Sequence, residues 1–177
     1  MNDKIVYILK KYNFTPDSIT IIGCIIASLS FMFYAKGMFF TGGIVMGIGS
    51  LFDAYDGYYA RKINSITRFG AFLDSNLDRV SEFFIFFGLF LYYPARIKII
   101  IFFTLFFGIM VSYSKARAEG LGIECKAGIF NRVVRMSLLF AGSILGKNIM
   151  IYILILLCLG NLLTFIHRVY HCYKKLV

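Results

Sequence analysis

Four aspartates lie close together in this sequence, at Asp53, Asp56, Asp74 and Asp78, between long apolar segments. An ionised carboxylate at or inside the edge of a bilayer is costly unless a compensating charge accompanies it, and acids in such positions are usually functional. Divalent cations compensate clustered carboxylates most simply, and hard ions such as Mg²⁺ prefer oxygen ligands. The stretch therefore predicts a metal site with these four aspartates as its ligands.

The spacing of the aspartates supports this prediction. Asp53 and Asp56 are three residues apart, and Asp74 and Asp78 are four apart. Both separations place a pair on one face of a helix. Two helices joined by the short segment 62–69 can therefore point their acidic pairs at each other, around one or two ions of Mg²⁺ or Mn²⁺.

Small and basic residues follow the first acidic pair. Gly57 and Ala60 continue its helical face, and small residues there let a flat group approach the backbone. Arg61 adds a guanidinium, which can bind phosphate with two parallel hydrogen bonds. A bound divalent ion can neutralise a diphosphate, and a spare carboxylate can remove a proton from an attacking hydroxyl. The residues thus predict metal-assisted phosphoryl chemistry.

Composition predicts an all-α integral membrane protein with a single domain over residues 1–177. The chain has 177 residues, 59% of them hydrophobic, and a mean hydropathy of +0.77. A soluble domain of this size cannot bury so much apolar surface. A membrane span needs about 20 mostly apolar residues. Six transmembrane helices are predicted over residues 18–170, at 18–35, 38–60, 70–93, 96–117, 128–146 and 148–170.

Residues 1–17 predict an interfacial amphipathic helix, with a solvated tail as the alternative. Its apolar residues recur at helical spacing among lysines, as in helices that lie on an anionic membrane surface. The apolar positions are Ile5, Ile8, Leu9 and Tyr12, and the lysines are Lys4, Lys10 and Lys11.

The net charge of +10 is divided into short clusters by the apolar segments, which fits membrane topology better than nucleic-acid binding. Basic residues mark the cytoplasmic side of a membrane protein. One side carries Lys4, Lys10, Lys11, Arg61, Lys62, Arg68, Lys115, Arg117, Lys126, Arg132, Arg135, Arg168, Lys174 and Lys175. The other side carries only Lys36, Arg96, Lys98 and Lys147. We therefore expect both termini and the aspartates on the cytoplasmic side of the cell membrane.

The aspartate stretch as a whole, D-x2-D-G-x2-A-R-x8-G-x3-D-x3-D, resembles the signature of the CDP-alcohol phosphotransferase family at every defined position. The resemblance implies an enzyme that displaces CMP from a CDP-linked alcohol, usually a CDP-lipid such as CDP-diacylglycerol or CDP-archaeol. It implies that Asp53, Asp56 and Asp74 are metal ligands. It also implies that Asp78 is the general base and touches a second ion.

The same resemblance implies a nucleotide site. Thr15 to Thr20 is similar to the Pro-Asn-x-x-Thr element that precedes the family's first span, with Asp17 in place of the Asn; a simple helix cap is the alternative for this element. The nucleotide-binding residues that the resemblance implies are Asp17, Thr20, Asp56, Gly57, Ala60, Arg61 and Gly70.

Basic residues at the cytoplasmic ends of the last three spans predict an acceptor that carries a phosphate, although topology alone can account for them. They are Lys115, Arg117, Arg132, Arg135 and Arg168. The stretch Ser112 to Glu119 resembles family members that use inositol phosphate. The resemblance thus implies a phosphatidylinositol phosphate or archaetidylinositol phosphate synthase, active as a homodimer in phospholipid biosynthesis.

Other functions remain open from the sequence. Glycerol 3-phosphate would suit the same cations as acceptor, and CDP-inositol is an alternative donor. An ion- or proton-coupled transporter would also explain intramembrane acids. However, a transporter needs polar groups towards the outer side, and Ile21 to Phe33, Phe83 to Tyr92 and Ile99 to Phe107 are almost entirely apolar.

Two further pairs of residues predict structural contacts. Arg79 stands three residues before Glu82, so we expect an ion pair between them, with neutralisation of the acidic site as the alternative. Gly43 and Gly47 form a small-xxx-small pair, which predicts close packing against another helix of the chain or of a second copy.

Overall fold

A computed structural model describes residues 3–177, apart from the side chains of residues 3–5 and 8. This range is all-α and contains no strand, as the composition predicted. Its helices are α1 (Asp3–Lys11), α2 (Pro16–Ala35), α3 (Phe39–Lys62), α4 (Arg68–Tyr92), α5 (Ala95–Glu119), α6 (Arg132–Leu145) and α7 (Lys147–Leu176).

Among the described residues, α2, α5 and α7 are long and apolar enough to cross a membrane. Of the other helices after α1, α3 and α4 carry the charged aspartates, which reduce their hydropathy, and α6 has only 14 residues. That α3, α4 and α6 also cross the membrane stays a prediction.

The predicted span 128–146 is wrong at its beginning, because α6 starts only at Arg132. Residues 120–131 form an irregular connection in which Gly128 has a φ of 91°. The side chain of Asn131 then accepts a hydrogen bond from the backbone of Val134 and caps the helix. With 14 residues, α6 is the shortest helix after α1. Its axial length is roughly 21 Å.

Side-chain caps begin three helices near the aspartates. Thr15 caps α2, Thr67 caps α4 and Asn131 caps α6, each accepting from the backbone N–H three residues on, at 3.2, 2.9 and 3.1 Å. Pro16 occupies the first turn of α2, so the helix start predicted there is confirmed. Helix N-termini carry a partial positive charge, which favours bound anions.

Small residues bring α2 into close contact with α3 and α4. A Cβ added at Gly49 would lie 2.5 Å from the backbone nitrogen of Ala27, and one at Gly88 would lie 2.6 Å from the Cα of Phe31. Close backbone approach of this kind is typical of packed membrane helices. Because α2 holds both helices, the acidic ends of α3 and α4 are brought side by side.

The glycine pair of α3 packs against α6 of the same chain. A Cβ at Gly43 would meet Ser143, and one at Gly47 would meet the ring of Phe140. The pair therefore serves an intramolecular contact. Further contacts join α5 to α7, α6 to α7 and α4 to α5. In contrast, the backbones of α4 and α6 make little close contact, so only long side chains can connect these two helices.

The predicted N-terminal helix is shorter than residues 1–17, because α1 ends at Lys11. The chain then turns through Asn13, which has a φ of 54°, before α2 begins. The hydroxyl of Tyr59 donates to the carbonyl of Phe14 at 3.0 Å and ties this turn to α3. That α1 lies on a membrane surface stays a prediction.

Candidate active site

Three aspartates converge between the end of α3 and the beginning of α4. One carboxylate oxygen from each of Asp53, Asp56 and Asp74 lies within 4.8 Å of the others. Asp56 is 6% exposed, and its Oδ2 is buried without a hydrogen-bond partner among the described residues. A buried carboxylate oxygen is costly to leave unpaired, whereas coordination to a cation stabilises it. These residues therefore fit a divalent metal ion, which takes oxygen ligands of this kind.

The fourth aspartate contacts a cation from another helix. Asp78 Oδ1 forms an ion pair with Nη1 of Arg132 on α6, and the same nitrogen lies 2.6 Å from Oδ2 of Asp53. On its other side, Asp78 Oδ2 lies 3.4 Å from Nη2 of Arg79. Asp78 thus lies at the edge of the acidic cluster that faces α6.

A cavity of about 210 Å³ opens beside the cluster, between α2, α3 and α4. All the residues predicted to bind nucleotide line it, namely Asp17, Thr20, Asp56, Gly57, Ala60, Arg61 and Gly70. Asp74 lines the same cavity and connects it to the acidic cluster. The structure therefore brings the predicted set together, while nucleotide binding by it stays a prediction.

Two glycines shape this cavity. A Cβ at Gly57 would lie 3.5 Å from Nη1 of Arg61, so the arginine side chain lies over the glycine backbone. A Cβ at Gly70 would lie 3.0 Å from both Oδ1 of Asp17 and Oγ1 of Thr67. The missing side chain at position 70 therefore lets the beginnings of α2 and α4 approach each other.

A second cavity, of about 560 Å³, lies on the other side of the cluster between α3 and α6. Its walls are mainly apolar and include Met46, Leu51 and Phe140. Asp53 and Arg132 also line it and supply its charged groups. Apolar space thus continues directly from the acidic cluster, and its lining is suited to hydrocarbon.

The predicted acceptor residues do not form one set of contacts. Within the described part of the chain, Arg132 alone among them forms an ion pair with the acidic cluster. Arg168 is 5% exposed and donates to the backbone carbonyls of Ala127 and Val111. Lys115 lies 3.7 Å from Glu119 on its own helix.

Arg117 is exposed near the end of α5. Arg168 therefore anchors the connection between α5 and α6, and phosphate binding by Arg168, Lys115 and Arg117 stays a prediction.

Arg135 was predicted to belong to the basic group for the acceptor phosphate, and this is wrong, because Arg135 forms a buried ion pair with Glu82 between α4 and α6. Nε and Nη2 of Arg135 lie 2.8 and 2.9 Å from the two carboxylate oxygens of Glu82, and both side chains are 1% exposed. Arg79 lies 3.5 Å from Glu82 and also contacts Asp78, so both alternatives for Arg79 hold. The spacing contained a signal, because Glu82 follows Asp78 by four residues and Arg135 follows Arg132 by three.

Comparison with known proteins matches this chain to one family and to relatives with related functions. The profile of CDP-alcohol phosphatidyltransferases matches residues 13–169. An archaetidylinositol phosphate synthase of Pyrococcus horikoshii is 38% identical over 171 residues, which cover 95% of this chain and 88% of that protein. A phosphatidylinositol phosphate synthase of Streptomyces avermitilis is 35% identical over 173 residues, which cover 88% and 70% of the two chains.

The fold also matches solved structures of Mycobacterium tuberculosis phosphatidylinositol phosphate synthase. The complex with manganese and citrate has a TM-score of 0.91 at 27% identity, covering 98% of this chain and 89% of that one. The structure with CDP-DAG bound has a TM-score of 0.89 at 28% identity, covering 96% and 92%. A protein of this fold thus binds manganese and a CDP-lipid.

The acidic cluster generates a prediction for metal binding. We expect Asp74→Asn to weaken Mn²⁺ binding at least about ten-fold, since even outer-shell partners of metal ligands are worth that much. Titration of purified protein with Mn²⁺, followed by the electron paramagnetic resonance signal of the free ion, measures the affinity. Glu124→Gln is the matched control, because this carboxylate lies in the connection between α5 and α6 and pairs with Lys126. Equal affinity in Asp74→Asn and Glu124→Gln would remove Asp74 from the metal site.

The buried ion pair generates a prediction for stability. Glu82→Gln leaves Arg135 buried without a carboxylate, and breaking such a pair costs about 3–5 kcal/mol. We expect a clear fall in the unfolding temperature in detergent, partly recovered in Glu82→Gln/Arg135→Gln because the unpaired charge is then gone. The exposed pair of Glu124 and Lys126 is the control, and its loss should change little. Additive losses in the double variant would contradict this prediction.

Proposed function

Because this chain belongs to the CDP-alcohol phosphatidyltransferase family, as the aspartate pattern predicted, we propose that it transfers a phosphatidyl-type group from a CDP-lipid to inositol 1-phosphate and releases CMP. The family makes it a transferase of substituted phosphate groups and a membrane protein of phospholipid biosynthesis. One observation supports the finer proposal most strongly. The acidic cluster separates the cavity lined by the nucleotide-binding set from Arg132, the cation suited to a phosphorylated acceptor.

The donor would extend across the acidic cluster. In this proposal its cytidine diphosphate lies in the cavity between α2, α3 and α4, over Gly57 and against the guanidinium of Arg61. The beginnings of α2 and α4 line that cavity, and helix N-termini favour phosphate groups. The hydrocarbon chains would occupy the apolar cavity between α3 and α6, which reaches the cluster at Asp53.

Asp53, Asp56 and Asp74 would hold the metal, with Asp78 beside a second ion. When bound, Mg²⁺ or Mn²⁺ at these carboxylates supplies neutralisation of the diphosphate charge and polarisation of the reacting phosphorus. The aspartates themselves bring the ligand oxygens within 4.8 Å of one another, close enough for one ion to draw them together.

Asp78 would act as the general base. It takes the proton from the acceptor hydroxyl, and the acceptor oxygen then forms a bond to the phosphorus that carries the lipid. The bond from that phosphorus to the bridging oxygen breaks, and this oxygen leaves with its electron pair as part of CMP. Asp78 returns the proton to solvent or product, so the enzyme ends unchanged. The location of Asp78 between the cluster and Arg132 supports this role.

The acceptor phosphate would lie on the α6 side against Arg132, which begins the helix, and binding by Lys115, Arg117 and Arg168 is part of the same proposal. Two of the relatives compared above make inositol phosphate lipids, which favours inositol 1-phosphate over glycerol 3-phosphate. We further propose six membrane spans formed by α2 to α7, an interfacial α1, cytoplasmic termini and active site, and a homodimer.

Release of CMP from a panel of acceptors tests the function. With Mg²⁺ and CDP-diacylglycerol or CDP-archaeol, we expect the purified protein to release CMP with inositol 1-phosphate, because the basic side chains beside the cluster can bind its phosphate. Glycerol 3-phosphate, free inositol and serine are the competing acceptors, and CDP-inositol is the alternative donor. Release only with an unphosphorylated acceptor would reject the acceptor proposal. No release from folded protein with any donor would reject the reaction.

Asp78→Asn tests the base. General base catalysis contributes about 10²- to 10⁴-fold, so we expect a loss of turnover in that range, measured as CMP release at saturating substrates. Mn²⁺ binding should be kept in part, because Asp53, Asp56 and Asp74 remain in place. That retained binding also shows that the variant is folded. Turnover equal to that of the unsubstituted protein would remove Asp78 as the base.

A further inference from the structure

Two ion pairs connect α4 and α6 like successive rungs of a ladder. Glu82 with Arg135 forms the inner rung, and Asp78 with Arg132 forms the outer rung beside the acidic cluster. The spacing follows the helical repeat, four residues along α4 and three along α6. Because the backbones of these helices make little close contact, α4 and α6 are connected mainly through these two rungs, while α6 packs directly on α3 and α7.

In the inner rung, all three side-chain nitrogens of Arg135 have hydrogen-bond partners. Arg135 uses two nitrogens on the two oxygens of Glu82, and its Nη1 donates to the carbonyl of Phe130 at 3.2 Å. Both side chains are 1% exposed. A bidentate pair in so buried a position holds its geometry strongly, since separating the charges would leave Arg135 buried without a carboxylate.

The outer rung differs in every one of these respects. A single nitrogen of Arg132, Nη1, makes both contacts, one to Asp53 and one to Asp78. Its Nε is buried without a hydrogen-bond partner among the described residues, and the side chain is 20% exposed. Arg132 therefore keeps unused donors for another anion, and it can change partners while the inner rung holds α6 in place.

One of the two partners of Arg132 is also a partner that a metal ion needs. Asp53 belongs to the cluster that fits a divalent cation, and its Oδ2 is the oxygen that Arg132 contacts. Two cations that share the same carboxylates repel each other strongly where water is scarce. A divalent ion at the cluster therefore weakens the hold of Asp53 and Asp78 on the guanidinium.

We propose that Arg132 is an exchangeable counter-ion that couples metal binding to recognition of the acceptor phosphate. It neutralises Asp53 and Asp78, is displaced from them when the divalent ion binds, and then presents its guanidinium to the phosphate. This inference rests on the proposed function for the phosphate on the acceptor. Displacement also frees Asp78 to accept a proton. The metal ion and the acceptor thus each strengthen the binding of the other, because coupling between sites is reciprocal.

Mn²⁺ binding without any CDP-lipid tests the exchange. We expect Arg132→Gln to bind Mn²⁺ at least about five-fold more tightly, the lower end of typical coupling between sites, because no guanidinium competes for Asp53. Arg132→Lys keeps the charge but has a single nitrogen donor, so an intermediate affinity is expected. The affinities come from the paramagnetic resonance titration described above, which requires no turnover.

The same titration with inositol 1-phosphate tests the coupling. In the unsubstituted protein the phosphate should tighten Mn²⁺ binding, and in Arg132→Gln it should not. Arg79→Gln is the matched control, since it removes another positive charge beside Asp78 but leaves Arg132 in place, and it should keep the coupling. Arg96→Gln removes a charge at the beginning of α5 and should change neither quantity. Chelation of Mn²⁺ by phosphate in solution is identical in all samples and cancels.

Unchanged or weaker Mn²⁺ binding in both Arg132 variants would overturn the exchange, and coupling that persists in Arg132→Gln would overturn the link to the acceptor. Release of CMP with inositol 1-phosphate is measured separately. If CMP is released but the coupling is absent, this inference fails and the proposed function stands. If no phosphorylated acceptor supports release, the proposed function and the acceptor half fail together, and Mn²⁺ binding alone still decides whether Arg132 competes with the metal.

Discussion

The structure depends on neutralising buried charge where water cannot do so. A continuous series of opposite charges runs from the acidic cluster into the bundle, in the order Asp53, Arg132, Asp78, Arg79, Glu82 and Arg135. Each member would be costly alone in an apolar surrounding, and each is compensated by its neighbours. At one end of the series the compensation remains incomplete, because Asp56 keeps a buried oxygen without a partner among the described residues. The demand for a cation there is a consequence of the packing, and it is why these residues fit a divalent metal ion.

Two kinds of packing meet at this site. On one side, small residues let α2 contact α3 and α4 backbone to backbone, which brings the acidic pairs together. On the other side, α6 is connected to α4 mainly through long charged side chains. Buried ion pairs often contribute more to the choice of one arrangement than to stability. The inner pair can therefore position α6 firmly while the outer arginine stays available for chemistry.

This arrangement gives the acidic cluster distinct neighbours on each side. The polar cavity with Arg61 adjoins it between α2, α3 and α4, and the apolar cavity adjoins it between α3 and α6. A donor with a nucleotide at one end and hydrocarbon at the other needs such a division, with its diphosphate at the charged centre. Catalysis of phosphoryl transfer depends mostly on positioning and charge stabilisation. In the proposed mechanism, the acidic cluster and the two cavities beside it therefore supply most of the catalytic effect.

The spacing of residues within single helices was enough to predict several features of this protein from the sequence alone. The aspartate pairs and the helix start at Pro16 depend on residues a few positions apart, which a helical repeat places predictably, whereas the nucleotide set was implied by the resemblance to a family signature. The late start of α6, the partner of Arg135 and the carbonyl contacts of Arg168 required the tertiary structure. A run of apolar residues predicts a span without showing where a glycine and a cap interrupt it. A single arginine in the sequence agrees with the predicted membrane topology whether it lies in solvent or in a buried ion pair. Only the packing of α4, α6 and α7 decides between those alternatives, because the partners lie dozens of residues apart in the chain.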